Sequence, residues 1–149
     1  MIKKLSAPTP KKSEKTPEIA VHKYFEGIGR RKTAIARVRI QNGQGKSQIN
    51  EKDAASYFGL AELKEIALSP IKKLKIPDKF DVSIKVVGGG VRAQAEAIRH
   101  GLARALVTSN EDFKKRLRGL GFMTRDSRMV ERKKYGLKKA RRAPQWKKR

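Results

Sequence analysis

The residues in this chain best equipped for chemistry are its bases. Residues 132–149 hold ten lysines or arginines and no aspartate or glutamate, a block with too few large apolar side chains to bury and too much like charge to collapse. Its chemistry is the binding of a polyanion: a guanidinium fork takes two phosphate oxygens at once, and a lysine neutralises as a point charge. Tyr135 and Trp146 lie within the block and add rings that can stack on bases. A second cluster, Arg30-Arg31-Lys32 with Arg37 and Arg39, follows Gly27-Ile28-Gly29, and glycine beside arginine lets a backbone approach a sugar-phosphate chain closely. A third, Lys114-Lys115-Arg116 with Arg118, is equally the pattern of an ordinary exposed helix. In the whole chain 38 Lys+Arg face 14 Asp+Glu, a formal net charge of +24, far beyond what solubility favours. A compact state so charged repels itself. The protein is therefore expected to work with its charge neutralised by phosphates, each contact releasing a condensed counterion.

Other chemistries lack their residues. There is no cysteine, which excludes disulfides and thiolate metal sites. His22 and His100 are far apart, and neither has a partner at metal-ligand spacing. Gly88-Gly89-Gly90 invites a phosphate-loop reading, because backbone N–H groups at a helix start can cradle a phosphate. It lacks the Gly-Lys-Ser/Thr ending and the dinucleotide spacing, so a glycine turn bringing helix and sheet close is the default, with an RNA phosphate over the same N–H groups still compatible. Glu111 and Asp112 read as first-turn helix charges, and no serine or threonine sits in a nucleophile elbow. No catalytic site, cofactor, metal or small-molecule substrate is expected. Met1 to Leu5 are followed by Ser6-Ala7-Pro8-Thr9-Pro10 rather than an apolar run, so neither a secretory signal nor a membrane span is expected. Lysines mixed with Glu14 and Glu18, and no arginine before Arg30, make an organelle transit peptide a poor description.

The elements that must position these bases fill one domain's worth of chain. Residues 1–22 read as a disordered basic arm, with Pro8, Pro10 and Pro17 breaking helices. A first strand is expected over 23–28, broken by Gly27 and Gly29, and a second over 33–40, where Ala34, Ala36, Val38 and Ile40 alternate with Arg37 and Arg39. Gln41 to Gly45 is a turn signal, and 46–50 is expected to return as its hairpin partner. Asn50 or Asp53 can cap a short helix through Phe58, and 60–68 has helical spacing ended by Pro70. Pro77 and Asp78 form a turn before the clearest strand, 80–87. The longest helix is expected over 91–107, burying Ile98, Leu102, Ala105 and Leu106 and presenting Arg92, Arg99 and Arg104 on its other face. A last helix over 111–120 completes a two-layer α+β sandwich, a mostly antiparallel sheet with helices on one face.

Three words in colinear order, Gly29-Arg30-Arg31-Lys32-Thr33-Ala34-Ile35-Ala36-Arg37-Val38-Arg39, Ile98-Arg99-His100-Gly101 leading to Arg104-Ala105-Leu106, and Val130-Glu131-Arg132-Lys133-Lys134-Tyr135-Gly136, resemble the bacterial-type family of the ninth protein of the small ribosomal subunit. The likeness runs from about Tyr24 to Arg149 and leaves the N-terminal arm outside it. It implies a left-handed β-α-β crossover, an RNA-binding domain over 23–121 and an extended basic tail over 122–149. The implied partners are small-subunit ribosomal RNA, the peptidyl-site transfer RNA and neighbouring proteins of the subunit head, in a cytoplasmic rather than organellar ribosome, without a membrane. Ribosomal RNA is expected at Arg30, Arg31, Lys32, Arg37, Arg39, Arg92, Arg99, Arg125, Arg128, Arg132, Lys133, Lys134, Tyr135, Lys138, Lys139, Arg141 and Arg142. Transfer RNA is expected at Lys147, Lys148 and Arg149. The family ending resembles Gln-Phe-Ser-Lys-Arg; here Trp146 stands for the Phe and Lys147 for the Ser, and Ser127 stands where proline is common. A general compaction or antimicrobial cationic protein would not need the glycine-arginine words, and a small kinase would need a phosphate loop and a catalytic acid.

Overall fold

A computed structural model describes residues 24–76 and 79–146. The expected arm over 1–22, the Pro77 and Asp78 turn, and the contacts at Lys147, Lys148 and Arg149 lie outside these residues. The chain runs β1 (Phe25–Arg31), β2 (Ala34–Asn42), β3 (Ser47–Ile49), β4 (Lys52–Asp53), α1 (Ala54–Phe58), α2 (Ala61–Leu74), β5 (Phe80–Val87), α3 (Val91–Ser109) and α4 (Phe113–Gly119). The five strands form one sheet in the order β1-β2-β5-β3-β4, antiparallel except where β3 lies parallel to β5. The α+β architecture and the predominance of antiparallel pairing agree with the sequence.

Alternation decides which face is buried. Ala34, Ala36, Val38 and Ile40 of β2 and Val82, Ile84 and Val86 of β5 are buried, and α3 and α2 cover that face with Ala97, Ile98, Leu102, Ala105, Leu106, Ala67 and Ile71. Leu117, fully buried, ties α4 to the same core. Each large aliphatic side chain so buried stabilises by roughly 1.5–3 kcal/mol. The intervening residues Ile35, Arg37, Ser83, Lys85 and Val87 are exposed on the other face.

Four local expectations are corrected. The strand at 23–28 is not broken by its glycines: β1 runs through both, because Gly27 and Gly29 are where α3 comes closest. A Cβ on Gly29 would run into the Ala97 carbonyl and the Gly101 backbone, and one on Gly27 into the Gly101 carbonyl. These two glycines are buried, and their missing Cβ atoms make room for α3. Residues 46–50 do not form a hairpin with β2, whose second neighbour is β5, with Arg37 opposite Lys85. The Asp81 carboxylate accepts from the N–H groups of Gln44 (2.8 Å) and Lys46 (2.9 Å), carrying the loop across the start of β5 so that β3 pairs on its far side. Those bonds hold the Asp81 carboxyl below the usual carboxylate range.

Pro70 does not stop α2, which continues to Leu74. A proline here removes the N–H that would bond the Ile66 carbonyl, and the Ser69 hydroxyl donates to that oxygen instead, at 2.8 Å. The last helix begins at Phe113, after a turn in which the Asn110 side chain accepts from the Asp112 N–H at 2.9 Å, so Glu111 and Asp112 precede it rather than fill its first turn. The expected cap at Asp53 is present, its carboxylate accepting from Ala55 N–H at 2.9 Å. Asn50 bonds both the N–H and the C=O of Val86.

Candidate nucleic-acid interface

Strand alternation puts a basic lattice on the open face of the sheet. Arg30 lies opposite Ile35, which lies opposite Val87; Ile28 lies opposite Arg37, which lies opposite Lys85; Glu26 lies opposite Arg39, which lies opposite Ser83. Glu26 draws both Arg37 and Arg39, at 3.2 Å each, and the Arg39 guanidinium sits 4.7 Å from the centre of the Tyr24 ring. Exposed pairs of this kind hold by about 1 kcal/mol or less, so both arginines remain available to a polyanion. The face thus joins Arg30, Arg37 and Arg39, which the sequence nominated, with Lys85, which it did not. The signal was present, since alternation in 80–87 put Lys85 on the polar side, but only the β2–β5 register brings it to Arg37.

Lys32 and Arg92 occupy one corner. Lys32 stands in the two-residue turn between β1 and β2 with φ 50°, and the turn packs on Gly88 and Gly89, whose φ values are 74° and 69°. A Cβ on Gly88 would meet the Thr33 carbonyl at 2.7 Å, so close packing and positive φ both favour glycine there. Arg92, in the first turn of α3, is exposed and lies 3.8 Å from Glu96.

A further group of bases, Arg99, Arg104, Arg125 and Arg128, gathers where the chain leaves α4. Phe122 and Met123 pack against the core, and the Arg99 guanidinium lies 5.6 Å from the centre of the Phe122 ring. The Arg104 guanidinium donates to the Ile28 carbonyl (2.8 Å), and His100 Nδ1 accepts from the Arg30 N–H (3.4 Å), so α3 side chains satisfy the outer edge of β1. Burial, then the charges of Arg104, Arg125 and Arg99, hold the His100 imidazole below its ordinary pKa, against a hydrogen bond with the Met123 backbone. Arg128 donates to both oxygens of Asp126, from Nε to Oδ1 and from Nη2 to Oδ2. Its side-chain and backbone bonds, with Arg31 nearby, hold the Asp126 carboxyl far below the usual carboxylate range. Arg31 differs from its neighbours: it is turned inward among Glu96, Asp126 and Arg128 and does not join the open face with Arg30.

Beyond Asp126 a single acid, Glu131, remains. It takes Arg141 in a two-point pair (2.5 and 3.0 Å) and lies 3.9 Å from Lys134, while Leu137 N–H donates to the Lys134 carbonyl at 3.3 Å and Gly136 has φ 73°. This stretch is therefore turned rather than straight. Tyr135 and Trp146 are exposed, and Arg132, Lys133, Lys138, Lys139 and Arg142 have no acidic partner among the described residues. The Lys114, Lys115, Arg116 and Arg118 cluster of α4 is exposed too, with Lys114 paired to Glu111 at 3.3 Å.

Among the described residues no group of three or more His, Cys, Asp or Glu side chains is placed to hold a metal ion, and no helix is long and apolar enough to cross a membrane. What the geometry offers is an exposed basic sheet face, a basic corner and a basic stretch over residues 125–142, all suited to phosphate. Residues 29–149 match the family model described as Ribosomal protein S9/S16, a match over most of the chain, and the chain belongs to that family.

Proposed function

We propose that this protein sits in the head of the small ribosomal subunit, gripping ribosomal RNA with the open sheet face and the bases of 125–142, and that Lys147, Lys148 and Arg149 reach the anticodon stem-loop of the peptidyl-site transfer RNA. Family membership carries the coarser part: the protein is a structural, RNA-binding component of the small ribosomal subunit, with ribosomal RNA and ribosomal proteins as partners. The proposal also includes a folded domain over 23–121 followed by a basic tail over 122–149, and a left-handed crossover from β3 to β5.

One observation supports the finer reading above the others. Arg30 and Lys85 on the sheet face, and Arg132, Lys133, Lys138, Lys139 and Arg142 after the last acid, Glu131, have no acidic partner among the described residues. The function is positioning rather than catalysis. The domain docks by counterion release, arginines orient on phosphate oxygens, and the tail orders against RNA as it meets it. Deleting residues 147–149 tests the finer claim. The shortened protein is expected to enter small subunits normally, as judged by co-sedimentation, and to weaken the hold of purified subunits on peptidyl-site transfer RNA. Unchanged transfer-RNA affinity and salt dependence would reject that contact and leave the tail as a ribosomal-RNA anchor.

A further inference from the structure

We propose that Arg31 is not an RNA ligand but a positioning residue, the centre of a clasp that fixes where the basic tail leaves the domain. All three of its guanidinium nitrogens are occupied: Nε by Glu96 of α3 at 2.5 Å, Nη2 by Asp126 at 3.0 Å and Nη1 by the backbone carbonyl of Arg128 at 2.7 Å. Its side chain is only 12 % exposed. A guanidinium spent on two carboxylates and a carbonyl has no free fork for a phosphate, and withdrawing it would leave the half-buried Glu96 with only Arg92, at 3.8 Å, and take the donor from the Arg128 carbonyl.

The acceptors come from separate parts of the chain. Glu96 is rigid on α3, whereas Asp126 and Arg128 belong to the segment that follows α4. Arg31 therefore joins the end of β1 to α3 and to the tail root in one contact. Asp126 is closed from the other side by the Arg128 N–H and guanidinium, which curls residues 126–128 into the shape the clasp receives. Arg132, the first base after the clasp without an acidic partner among the described residues, comes four residues later, so every base beyond it inherits its origin and direction from this contact. Without the clasp the tail would swing from about Met123, where core packing ends. A flexible chain reaches roughly 5–6 Å times the square root of its length, so its bases would sample a wider and wrongly centred volume.

This inference rests on the tail being an RNA-binding element, but its main test does not. The chain has no cysteine, so Gln48→Cys on β3 and Val130→Cys beyond the clasp, both at exposed positions, give one pair of spin labels on the full-length protein. The pair distance in free protein is expected to be narrowly distributed, and to broaden at least two-fold on adding Arg31→Gln, Asp126→Asn or Arg31→Lys. The lysine variant keeps the charge but cannot serve three acceptors. Asp126→Asn alters a side chain outside the apolar core and keeps the test valid if an Arg31 variant fails to fold. Equal distributions in all backgrounds would overturn the clasp.

Binding of small-subunit ribosomal RNA supplies the second arm, and its sign is informative. Asp126→Asn removes a negative charge, so electrostatics alone predicts tighter binding, whereas the clasp predicts binding weakened at least two-fold. Tighter binding, or an Arg31→Gln variant that loses about one unit of log-log salt slope with its label distances unchanged, would make Arg31 a phosphate ligand and refute the proposal. If the unsubstituted protein bound no RNA, the functional reading would fail while the label distances still decided the clasp.

Discussion

Gly29→Ala separates two explanations of the glycines before the first basic cluster, an approach to RNA or an approach to α3. The added Cβ would stand 2.9 Å from Gly101 Cα and closer still to the Ala97 carbonyl and the Gly101 N–H. Carbon atoms settle at roughly 3.5–4.0 Å, so α3 must retreat from β1 by at least about 0.6 Å. A gap of that size forfeits about a quarter of the contact energy of the side chains α3 presents. For Ile98, Leu102 and Leu106, all fully buried, at about 2 kcal/mol each, that is about 1.5 kcal/mol. Strain of about 1–3 kcal/mol from overpacking adds to it, for a total of about 2.5–4.5 kcal/mol. In a domain of this size each kcal/mol moves Tm by about 4–8 °C, so Tm should fall by roughly 10–36 °C. Thermal melts followed by circular dichroism would measure this, with ribosomal-RNA binding assayed at a temperature where both proteins are folded. A melt within about 1 kcal/mol of the unsubstituted protein, accompanied by lost RNA binding, would refute the packing argument and return Gly29 to the interface.

Lys85→Ala should leave the melt within about 0.5 kcal/mol and lower the salt slope of ribosomal-RNA binding by about 0.7–0.9; an unchanged slope would remove Lys85 from the interface. Ser69→Ala deprives the Ile66 carbonyl of its donor inside α2 and should cost about 1 kcal/mol without changing RNA affinity. A melt identical to the parent would show that Pro70 needs no such compensation. For His100, the folded state favours the neutral imidazole, so the unfolded chain takes up a proton first as pH falls. Its contribution is complete above the ordinary pKa of about 6.5 and declines below it. Urea midpoints from pH 5 to pH 8 should rise with pH in the parent and less steeply in His100→Gln; parallel curves would contradict the sign.

Much of this was legible because local rules settled it. Period-two alternation placed Ala34, Ala36, Val38 and Ile40 inside and Arg37 and Arg39 outside, and β5 runs over the expected residues 80–87. The misses are non-local. No local pattern says that β5 rather than β3 pairs with β2, since that depends on Asp81 receiving a loop from 35 residues earlier in sequence. The close approach of α3 at Gly27 and Gly29 was not legible, because nothing local in the sequence says that Gly101 would face them. Arg31 looked like its neighbour Arg30, yet successive strand residues point to opposite faces, and Arg31 meets Glu96 and Asp126 while Arg30 stays exposed. Lys85 was overlooked because a lone lysine in a strand carries no cluster signal until register places it beside Arg37. Pro70 stayed inside a helix because one preceding hydroxyl answered the freed carbonyl.

The central claim, that a folded basic face and a basic tail hold the same RNA, is tested most directly by the salt dependence of binding to small-subunit ribosomal RNA. The full chain would be compared with a version lacking residues 132–149. Ten tail charges meeting single-stranded phosphates contribute a log-log slope of roughly −7 if all are engaged. The shortened protein is predicted to stay folded, to keep a shallower slope set by the sheet face and tail root, and to lose several units of slope. A shortened protein that kept the full slope would contradict the account.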